Sequence, residues 1–447
     1  MISKDQFKKR ITKILSGHSL PGISIAVNNR DGELLTFCDG QCDKNSGLPI
    51  SPDTLFGVAS LTKFLTALII MQAENLGLLS VTDPVAHYYP ELQCARDSGM
   101  QLEHLLTHSA GLPGLSCRFI AKDLARQTSP DARPQLLTTA DLISHINQLE
   151  PEMLAPPGIL QSYSNESYCI LGGIIETVFQ LPYPEVARKL IFEPLSLHHS
   201  AIGGEQASSF RDKAKPLQQN EQGLIALPYW DAPLFYPAGG LLTSPSDLIS
   251  LLAVLKGGTK LLTRQQCHHM MNHQVLIASR PSAAFGYGYG LEIEQINEVS
   301  TLAWHTGQRQ GWSSFSGIIP DQNISVAMAI NVADAPTADL GHAILSKLLS
   351  DFAPADLPWL ATEKPVKPLS RNPDQFIGRY GSLELGGFDV RYSDGEFILQ
   401  TSSSNHVFGF YGKYHGRVAG QTFQFLADRD DRCGSLAFGL RVLPRLV

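Results

Sequence analysis

A run of apolar residues at positions 56–72, FGVASLTKFLTALIIMQ, leaves almost no polar face if it coils into a helix. A helix that is apolar all round is enclosed by other protein, so the chain must build a body large enough to bury it. Lys63 is the one charged residue of this run, and burying an ammonium group costs free energy unless it is paired or loses its charge. Ser60 lies three residues earlier, on the same helical face. The pair is therefore either an N-capping serine beside a lysine that reaches solvent, or a nucleophile beside its base.

The composition describes a globular chain with an acidic balance. Its 447 residues exceed one ordinary core, and the length favours two or three domains. A formal net charge of −7 argues against nucleic acid and anionic membrane surfaces as partners. No apolar run reaches about 18 residues, so we expect no membrane span. Seven scattered cysteines are typical of reduced thiols rather than of a disulfide framework.

The opening segment, MISKDQFKKRITKILSG, lacks the hydrophobic region of a signal peptide. Phe7, Ile11, Ile14 and Leu15 instead recur at helical spacing, and Gly17 follows as a C-cap. The segment therefore predicts a folded amphipathic helix and a cytoplasmic protein.

Strand patterns stand on both sides of a long helical region. GISIAVNNRDGELLTFCDG predicts two strands joined by a turn at residues 28–32, and residues from about 60 to 255 are mainly helical. Strand patterns return in GYGLEIE, STLAWHTG, WSSFSGIIP and ISVAMAINV, and a helix is expected over residues 337–351. This order predicts a mixed α/β fold in which a large helical insertion packs against a sheet.

The C-terminal part of the chain has a different pattern. Residues 364–373, KPVKPLSRNP, contain three prolines and little to bury, which is typical of a linker. Short alternating runs follow, as in VRYSDGEFIL, where Asp394-Gly395 is a two-residue hairpin turn. Such runs predict a small antiparallel barrel or sandwich. We therefore divide the chain into a main domain of residues 1–363, a linker of residues 364–373 and a β domain of residues 374–447.

Three polar elements carry residues from which a catalytic site can be assembled. Ser60 and Lys63 supply a nucleophile with a base one turn away, and a desolvated lysine that loses its charge can accept the hydroxyl proton. Tyr163 and Asn165 lie two apart before an apolar helix, where both can point into one cleft. His305-Thr306-Gly307 ends a strand pattern, and the glycine would let substrate approach the strand edge closely.

The order S-x-x-K, then Y-x-N, then H-T-G resembles the serine β-lactamase and penicillin-binding-protein family. It is similar to the class C β-lactamases and the allied DD-peptidases and D-amino-acid peptidases. The segments LEHLLTHSAGLPG, PAGGLLTSPSDL and FGYGYGL strengthen this resemblance, which covers residues from about 20 to 350. It implies an antiparallel sheet flanked by helices, with a large helical insertion. The region that starts at FIGRY resembles the lipocalin-like barrel of several such peptidases, where it shapes the cleft or holds subunits together.

The resemblance implies a role for each motif residue. Ser60 is expected to be the acylated nucleophile, Lys63 its general base and Tyr163 the relay of a proton to the leaving group. Asn165 would orient Lys63 and the substrate amide. Thr306 would bind a substrate carboxylate or carbonyl.

The third motif departs from the β-lactamases, because His305 stands where they have lysine. A histidine is mostly neutral at pH 7, so it is a weaker anchor for a β-lactam carboxylate. The sequence thus favours a DD-carboxypeptidase-like or D-amino-acid-specific peptidase. The backbone N–H groups of Ser60 and Gln308 would form its oxyanion hole. Arg309, just after the motif, either recognises a substrate carboxylate or forms a surface ion pair.

Three alternatives share the same site: an esterase or acyltransferase, a weak β-lactamase, and a penicillin-binding sensor that does not turn over. A small molecule or short peptide of the cytosol is the expected substrate, a homo-oligomer is one expected state, and no cofactor is expected. His104 and His108 have a spacing that can bind zinc, but no acidic third ligand stands out. His268, His269 and His273 fit an exposed helix better than a metal site, so no metal is expected.

Overall fold

The computed structural model describes two units, each made from three stretches of the chain. The first unit comprises Met1–Val81, Tyr168–His273 and Gly288–Leu360, and the second comprises Thr82–Ser167, Gln274–Tyr287 and Ala361–Val447. Within them the structure describes residues 4–43, 47–115, 138–149, 152–221, 223–229, 231–272, 275–280, 284–349, 373–382, 385–401, 404–410, 414–418, 421–427 and 433–446.

Helices predominate from residue 62 to residue 272, and strands predominate from residue 275 onwards. The helices are α1 (Lys4–Leu15), α2 (Thr62–Asn75), α3 (Val85–Tyr88), α4 (Gln93–Ser98), α5 (Leu102–Leu106), α6 (Thr139–Leu149), α7 (Asn165–Phe179), α8 (Tyr183–Ala187), α9 (Glu193–Leu195), α10 (Gly203–Ala207), α11 (Tyr236–Gly239), α12 (Pro245–Leu252), α13 (Arg264–Asn272) and α14 (Thr337–Leu348). The strands are β1 (Gly22–Asn28), β2 (Leu34–Gly40), β3 (Phe56–Gly57), β4 (Ser200–Ile202), β5 (Leu217–Asn220), β6 (Gly223–Ala226), β7 (Leu241–Thr243), β8 (Val275–Leu276), β9 (Phe285–Tyr287), β10 (Glu292–Gln295), β11 (Thr301–Arg309), β12 (Trp312–Ile319), β13 (Ile324–Ile330), β14 (Gly378–Ser382), β15 (Gly386–Ser393), β16 (Glu396–Gln400), β17 (Asn405–Phe410), β18 (His415–Val418), β19 (Gln421–Ala427), β20 (Cys433–Phe438) and β21 (Arg441–Leu446).

The first unit is built on an antiparallel sheet whose strands pair in the order β2-β1-β13-β12-β11-β10. Every residue of β1, β12 and β13 is buried, which is expected for strands covered on both faces. Phe7 and Ile11 of α1 and Ile344 of α14 join the core of this sheet. The predicted mixed α/β fold with an antiparallel sheet is therefore confirmed, as are the amphipathic first helix and the two strands that follow it.

Helix α2 is the buried helix that the run at residues 56–72 predicts. It starts at Thr62, and every residue from Thr62 to Met71 is buried. Ser60 lies before it in a short 3₁₀ turn of Ala59–Leu61, and Leu61 occupies the N-cap position. Lys63 is 0% exposed. The serine is thus not a helix cap and the lysine does not reach solvent, which removes the first of the two interpretations of this pair.

The second unit contains helices α3 to α6, the β8–β9 hairpin and an eight-stranded closed barrel of strands β14 to β21. The barrel closes through β14 and β21, where Tyr380 pairs with Arg445. Its interior is filled with aromatic side chains, including Phe376, Phe410 and Phe425. The predicted hairpin turn is confirmed, because Asp394 and Gly395 both have positive φ (55° and 83°), as a two-residue turn of this type requires.

The barrel confirms the small β fold that the alternating pattern predicts. Most of the expected linker, residues 364–372, lies outside the described residues, so the division into domains remains a prediction. No helix among the described residues has the length and apolar character to cross a bilayer.

Candidate active site

The first unit brings the serine and the lysine of the first motif into direct contact. Lys63 donates a hydrogen bond from Nζ to Ser60 Oγ at 3.2 Å. Ser60 is only partly buried, whereas Lys63 is fully enclosed. The preceding residue, Ala59, has a φ of +49°, a conformation that residues other than glycine rarely adopt. Such backbone conformations recur at functional sites, and here the turn presents a partly exposed hydroxyl that is bonded to an amine.

The P-A-G-G segment that precedes β7 completes the surroundings of the lysine. Ala238 accepts a second hydrogen bond from Lys63 Nζ at 2.7 Å, through its carbonyl oxygen. Thr66, one turn further along α2, donates to the carbonyl of Pro237 at 2.6 Å and so fixes the segment against the helix. The ring of Tyr168 lies 5.4 Å from Nζ. The role of Ala238 could not be predicted from the sequence, because a backbone acceptor leaves no signal beyond the P-A-G-G pattern.

His305 of β11 is buried close to the same lysine. Its exposure is 2%, and burial first, then the positive charge of Lys63, lowers the pKa of the imidazole to about 3. The ring is therefore neutral at pH 7, as sequence analysis expects. Nδ1 forms a short hydrogen bond with the carbonyl oxygen of Thr306, so Nδ1 carries the proton and Nε2 is the acceptor.

Gly307 brings strand β11 against the turn that carries Ser60. A Cβ atom at Gly307 would lie 2.0 Å from the carbonyl oxygen of Val58 and 2.3 Å from Ser314 Oγ. Ser314, on the neighbouring strand β12, donates to the same Val58 carbonyl at 2.9 Å. We expected the glycine to let a substrate approach the strand. In the structure, it is the backbone of Val58 that approaches Gly307 closely.

Gln308 and Arg309 extend the strand past the motif. Gln308 is exposed and donates from Nε2 to Asp334 Oδ1 at 2.8 Å. Arg309 is half-buried, donates from Nη1 to the carbonyl of Gly239 at 3.3 Å and lies 5.2 Å from the ring of Tyr229. The guanidinium therefore contacts the same P-A-G-G segment that binds Lys63.

Tyr163 and Asn165 lie in the second unit, so their contacts are described there. The Tyr163 side chain is 5% exposed, and its ring lies 4.2 Å from the ring of His108 and 4.9 Å from the guanidinium of Arg441. Its backbone N–H donates to the carbonyl of Leu440 at 2.8 Å. Asn165 is the first residue of α7. The tyrosine is thus held among other side chains and is not the exposed residue of an ordinary turn.

His108 forms hydrogen bonds with the segment of the second motif. Its Nδ1 accepts a hydrogen bond from the backbone N–H of Ser164 at 3.2 Å, and its carbonyl accepts one from Ser162 at 2.8 Å. Its φ of +55° places it in a strained turn. Glu166, which is 1% exposed, accepts from Ser164 Oγ at 3.0 Å and from the N–H of Leu115 at 3.1 Å. The sequence drew attention to His108 only for its metal-binding spacing and to Glu166 not at all, because Ser164 and Leu115, their respective partners, lie 56 and 51 positions away in the chain.

Two further histidines of the sequence analysis, His104 and His269, also have protein partners. His104 Nδ1 accepts from the N–H of Gln101 at 3.0 Å, and His269 Nε2 lies 3.0 Å from Tyr289 Oη. His273 lies outside the described residues. Within the part of the chain that the structure describes, no three His, Cys, Asp or Glu side chains are grouped to hold a metal ion.

The chain is similar in sequence and in structure to several known proteins. A family model described as Beta-lactamase matches residues 7–349. Penicillin-binding protein 4 of Amycolatopsis lactamdurans is 25% identical over 377 residues, which cover 80% of this chain and 94% of that protein. The octameric penicillin-binding protein homologue from Pyrococcus abyssi is similar in structure, with a TM-score of 0.68 and 25% identity over 98% of this chain and 99% of its own. The D-amino acid amidase from Ochrobactrum anthropi SV3 shares the fold, with a TM-score of 0.63 and 21% identity over 77% of this chain and 98% of its own.

Proposed function

The chain belongs to the beta-lactamase family of serine hydrolases, and we propose that it is a DD-carboxypeptidase-like or D-amino-acid-specific peptidase. The observation that carries this proposal is the contact of Lys63 Nζ with Ser60 Oγ at 3.2 Å, in a site where His305 is neutral. A buried amine bonded to a partly exposed hydroxyl is the arrangement that an activated serine requires.

In the proposed reaction, Lys63 acts in its neutral form rather than in the charged form that lowers the pKa of His305. Ser60 Oγ attacks the substrate carbonyl carbon while its proton passes to this amine. A C–O bond forms, and the carbonyl π electrons move onto the oxygen as an oxyanion. When the oxyanion collapses, the C–N bond breaks and the leaving nitrogen takes a proton from Tyr163, which regains one from Lys63. Water then attacks the acyl-enzyme by the reverse sequence of proton transfers. Asn165, at the start of α7, would orient the amine and the substrate amide.

The oxyanion would be bound by the backbone N–H groups of Ser60 and Gln308. Two features support this assignment. Strand β10 pairs with β11 only over residues 301–304, so in the described structure the stretch from His305 to Arg309 has no neighbouring strand on that edge. The contact of Gly307 with Val58 sets this edge beside the turn of Ser60. Backbone donors fixed in this way stabilise developing charge without having to reorganise.

The neutral imidazole of His305 favours peptides over β-lactams. Family members specialised for β-lactams have lysine at this position, where its positive charge anchors the β-lactam carboxylate. His305 is neutral and provides no positive charge at this position. The fold shared with the D-amino acid amidase from Ochrobactrum anthropi SV3 supports a D-amino-acid substrate. Thr306, which is half-buried at the same edge, would bind the substrate carbonyl or carboxylate.

A substrate panel on the purified protein tests the proposal. We expect hydrolysis of a D-alanyl-D-alanine peptide or a D-amino-acid amide, slow turnover of nitrocefin, and no hydrolysis of the L-amino-acid counterparts. Intact mass after exposure to a fluorophosphonate should show one adduct, on the peptide that contains Ser60. Ser60→Ala should abolish both the adduct and the activity. An adduct on another peptide, or full activity in Ser60→Ala, would contradict the proposal.

The panel also separates the alternatives that use the same acyl-enzyme. Hydrolysis of p-nitrophenyl esters without peptide hydrolysis would identify an esterase, and product formation that depends on an added amine or alcohol would identify an acyltransferase. Fast nitrocefin hydrolysis would identify a β-lactamase. A single burst of acylation without turnover would identify a penicillin-binding sensor.

Location and assembly are part of the same proposal. All six cysteines among the described residues are free thiols, which is typical of a reducing compartment and supports the cytosol. The octameric state named for the Pyrococcus abyssi homologue supports a homo-oligomer. Cell fractionation and light scattering of the purified chain test these two points.

A further inference from the structure

We propose that a turn of the barrel belongs to the catalytic machinery. This turn, residues 439–441, consists of the two residues between β20 and β21 and the first residue of β21. It holds Tyr163 in place, and Arg441 is the positioning residue. The inference rests on the proposed function, in which Tyr163 gives a proton to the leaving group. It goes further because it gives the barrel a defined part in catalysis and predicts which substrates depend on that part. Both segments lie within the second unit.

Backbone and side-chain hydrogen bonds tie this turn to the segment that ends in Tyr163. The carbonyl of Leu440 accepts from the N–H of Tyr163 at 2.8 Å and from Gln161 Nε2 at 3.2 Å. In the opposite direction, the N–H of Val442 donates to Ser162 Oγ at 3.1 Å. Three consecutive residues before α7 are therefore each bonded to the barrel. Side chains fixed by such a network lose the freedom to leave their reactive geometry.

The turn is also fixed from its other side. Ser279 donates a hydrogen bond to the carbonyl of Gly439, whose φ of +55° lets the chain reverse there. Leu440 packs against the small cluster formed by Tyr163, Ile277 and Tyr287. The turn is therefore joined to the Tyr163 segment both by hydrogen bonds and by apolar packing. A shift of the turn would move the tyrosine with it.

Arg441 adds charge to this geometry. Its guanidinium lies 4.9 Å from the centroid of the Tyr163 ring, within the range of a cation–π contact. When Tyr163 gives its proton to the leaving nitrogen, the phenolate that remains is stabilised by a nearby cation. Arg441 therefore favours the step in which the leaving group is protonated, in addition to holding the ring.

This role predicts a dependence on the leaving group that a packing contact would not produce. An anilide nitrogen must be protonated as it leaves, whereas p-nitrophenolate leaves as an anion. We compare the p-nitroanilide and the p-nitrophenyl ester of the same N-acyl-D-alanine. In the full-length Arg441→Met variant, kcat/KM should fall about tenfold or more for the anilide and less than about twofold for the ester. Arg441→Lys, which keeps the charge, should retain most of the anilide activity.

Arg417 of β18 offers a matched control, because it is an exposed arginine on the same barrel. Arg417→Met should leave both substrates unchanged. Circular dichroism and thermal melting verify folding, and Arg441→Gln replaces the methionine variant if that variant does not fold. An equal loss on both substrates, or no loss in Arg441→Met, would overturn the inference.

Tyr163→Phe separates a failure of this inference from a failure of the proposed function. It should show the same split between anilide and ester, and Arg441→Met should add little to it, because the arginine acts through the tyrosine. Intact anilide hydrolysis in Tyr163→Phe would refute the proposed role of the tyrosine itself. If anilide hydrolysis is lost in Tyr163→Phe but unchanged in Arg441→Met, only the role of the barrel is refuted.

Discussion

Gly307 and Val58 approach so closely that a Cβ atom on the glycine would lie 2.0 Å from the valine carbonyl oxygen. Ser314 Oγ donates to that same oxygen at 2.9 Å. The third motif is thereby fastened to the turn that leads into Ser60. The distance between the proposed nucleophile and the edge of β11 is thus set by the absence of one side chain.

Gly307→Ala should lower kcat by about tenfold or more, because the added methyl must push β11 away from the turn and displace the donors of the proposed oxyanion hole. Steady-state kinetics on the best substrate of the panel measure the change. Gly434→Ala is the matched control, since Gly434 is exposed on β20 and a Cβ there meets no atom within 4 Å. Wild-type kcat in Gly307→Ala would show that the contact has no catalytic consequence.

Lys63 and Tyr163 should behave as one proton-transfer unit. Lys63→Met and Tyr163→Phe should each lower kcat for an amide substrate by about a hundredfold, a common effect of losing an acid–base group. The double variant should be little worse than either single variant, because both losses interrupt the same proton path. Losses that multiply would show that the two residues act independently.

His305→Lys should shift selectivity towards β-lactams. The new ammonium group would attract the β-lactam carboxylate. We therefore expect the ratio of kcat/KM for nitrocefin to kcat/KM for a p-nitrophenyl ester to rise about tenfold, which corresponds to about 1.4 kcal/mol of transition-state stabilisation. His305→Gln is the neutral control and should leave the ratio unchanged. A rise in both variants would mean that the charge is not the cause.

His305 should also make folding stability depend on pH. Its pKa falls from 6.5 to about 3 on folding, so between these values the unfolded chain binds a proton that the folded chain does not. The free energy of unfolding therefore decreases as pH falls below 6.5, by at most about 1.4 kcal/mol per pH unit from this residue. Urea titrations at pH 7 and pH 5 should show a smaller decrease in His305→Gln. Equal decreases in both proteins would contradict the expectation.

Limited proteolysis tests the proposed division of the chain. The proline-rich composition of residues 364–373 predicts an accessible linker, so the first cuts should fall there and release a fragment that starts near Pro373. N-terminal sequencing and intact mass identify the cut. Cleavage first within the barrel or within the main domain would reject this boundary.

Many elements were predictable because their signals are local. The pattern of apolar residues revealed helices α1 and α2 and the strands of the main sheet, and the Asp394-Gly395 pair revealed a barrel hairpin. The boundaries were less accurate where backbone strain intervenes. Helix α2 begins at Thr62, with Leu61 and not Ser60 at its N-cap, because Ala59 adopts a positive φ and the chain forms a 3₁₀ turn first.

The chemistry of the candidate site was predictable only as a set of residue types. Ser60, Lys63 and His305 could be selected from their motifs and spacing, because a nucleophile and its base are needed at fixed separations. The backbone atoms that contact these residues could not be predicted in this way. The carbonyl of Ala238 that binds Lys63 and the carbonyl of Val58 that meets Gly307 are backbone atoms, which every residue possesses. Only the folded chain shows which of them are used.

The sequence by itself determined the family, the order of helices and strands, and the neutral histidine in the third motif, because each depends on residue identity and local spacing. The tertiary structure decided how strongly each group is perturbed. Burial beside Lys63 is what lowers the pKa of His305 to about 3. It also decided that a barrel turn 278 positions away in the chain contacts Tyr163 through Arg441 (441 − 163). Desolvation and contacts between distant segments arise only when the chain closes on itself, so no local pattern records them.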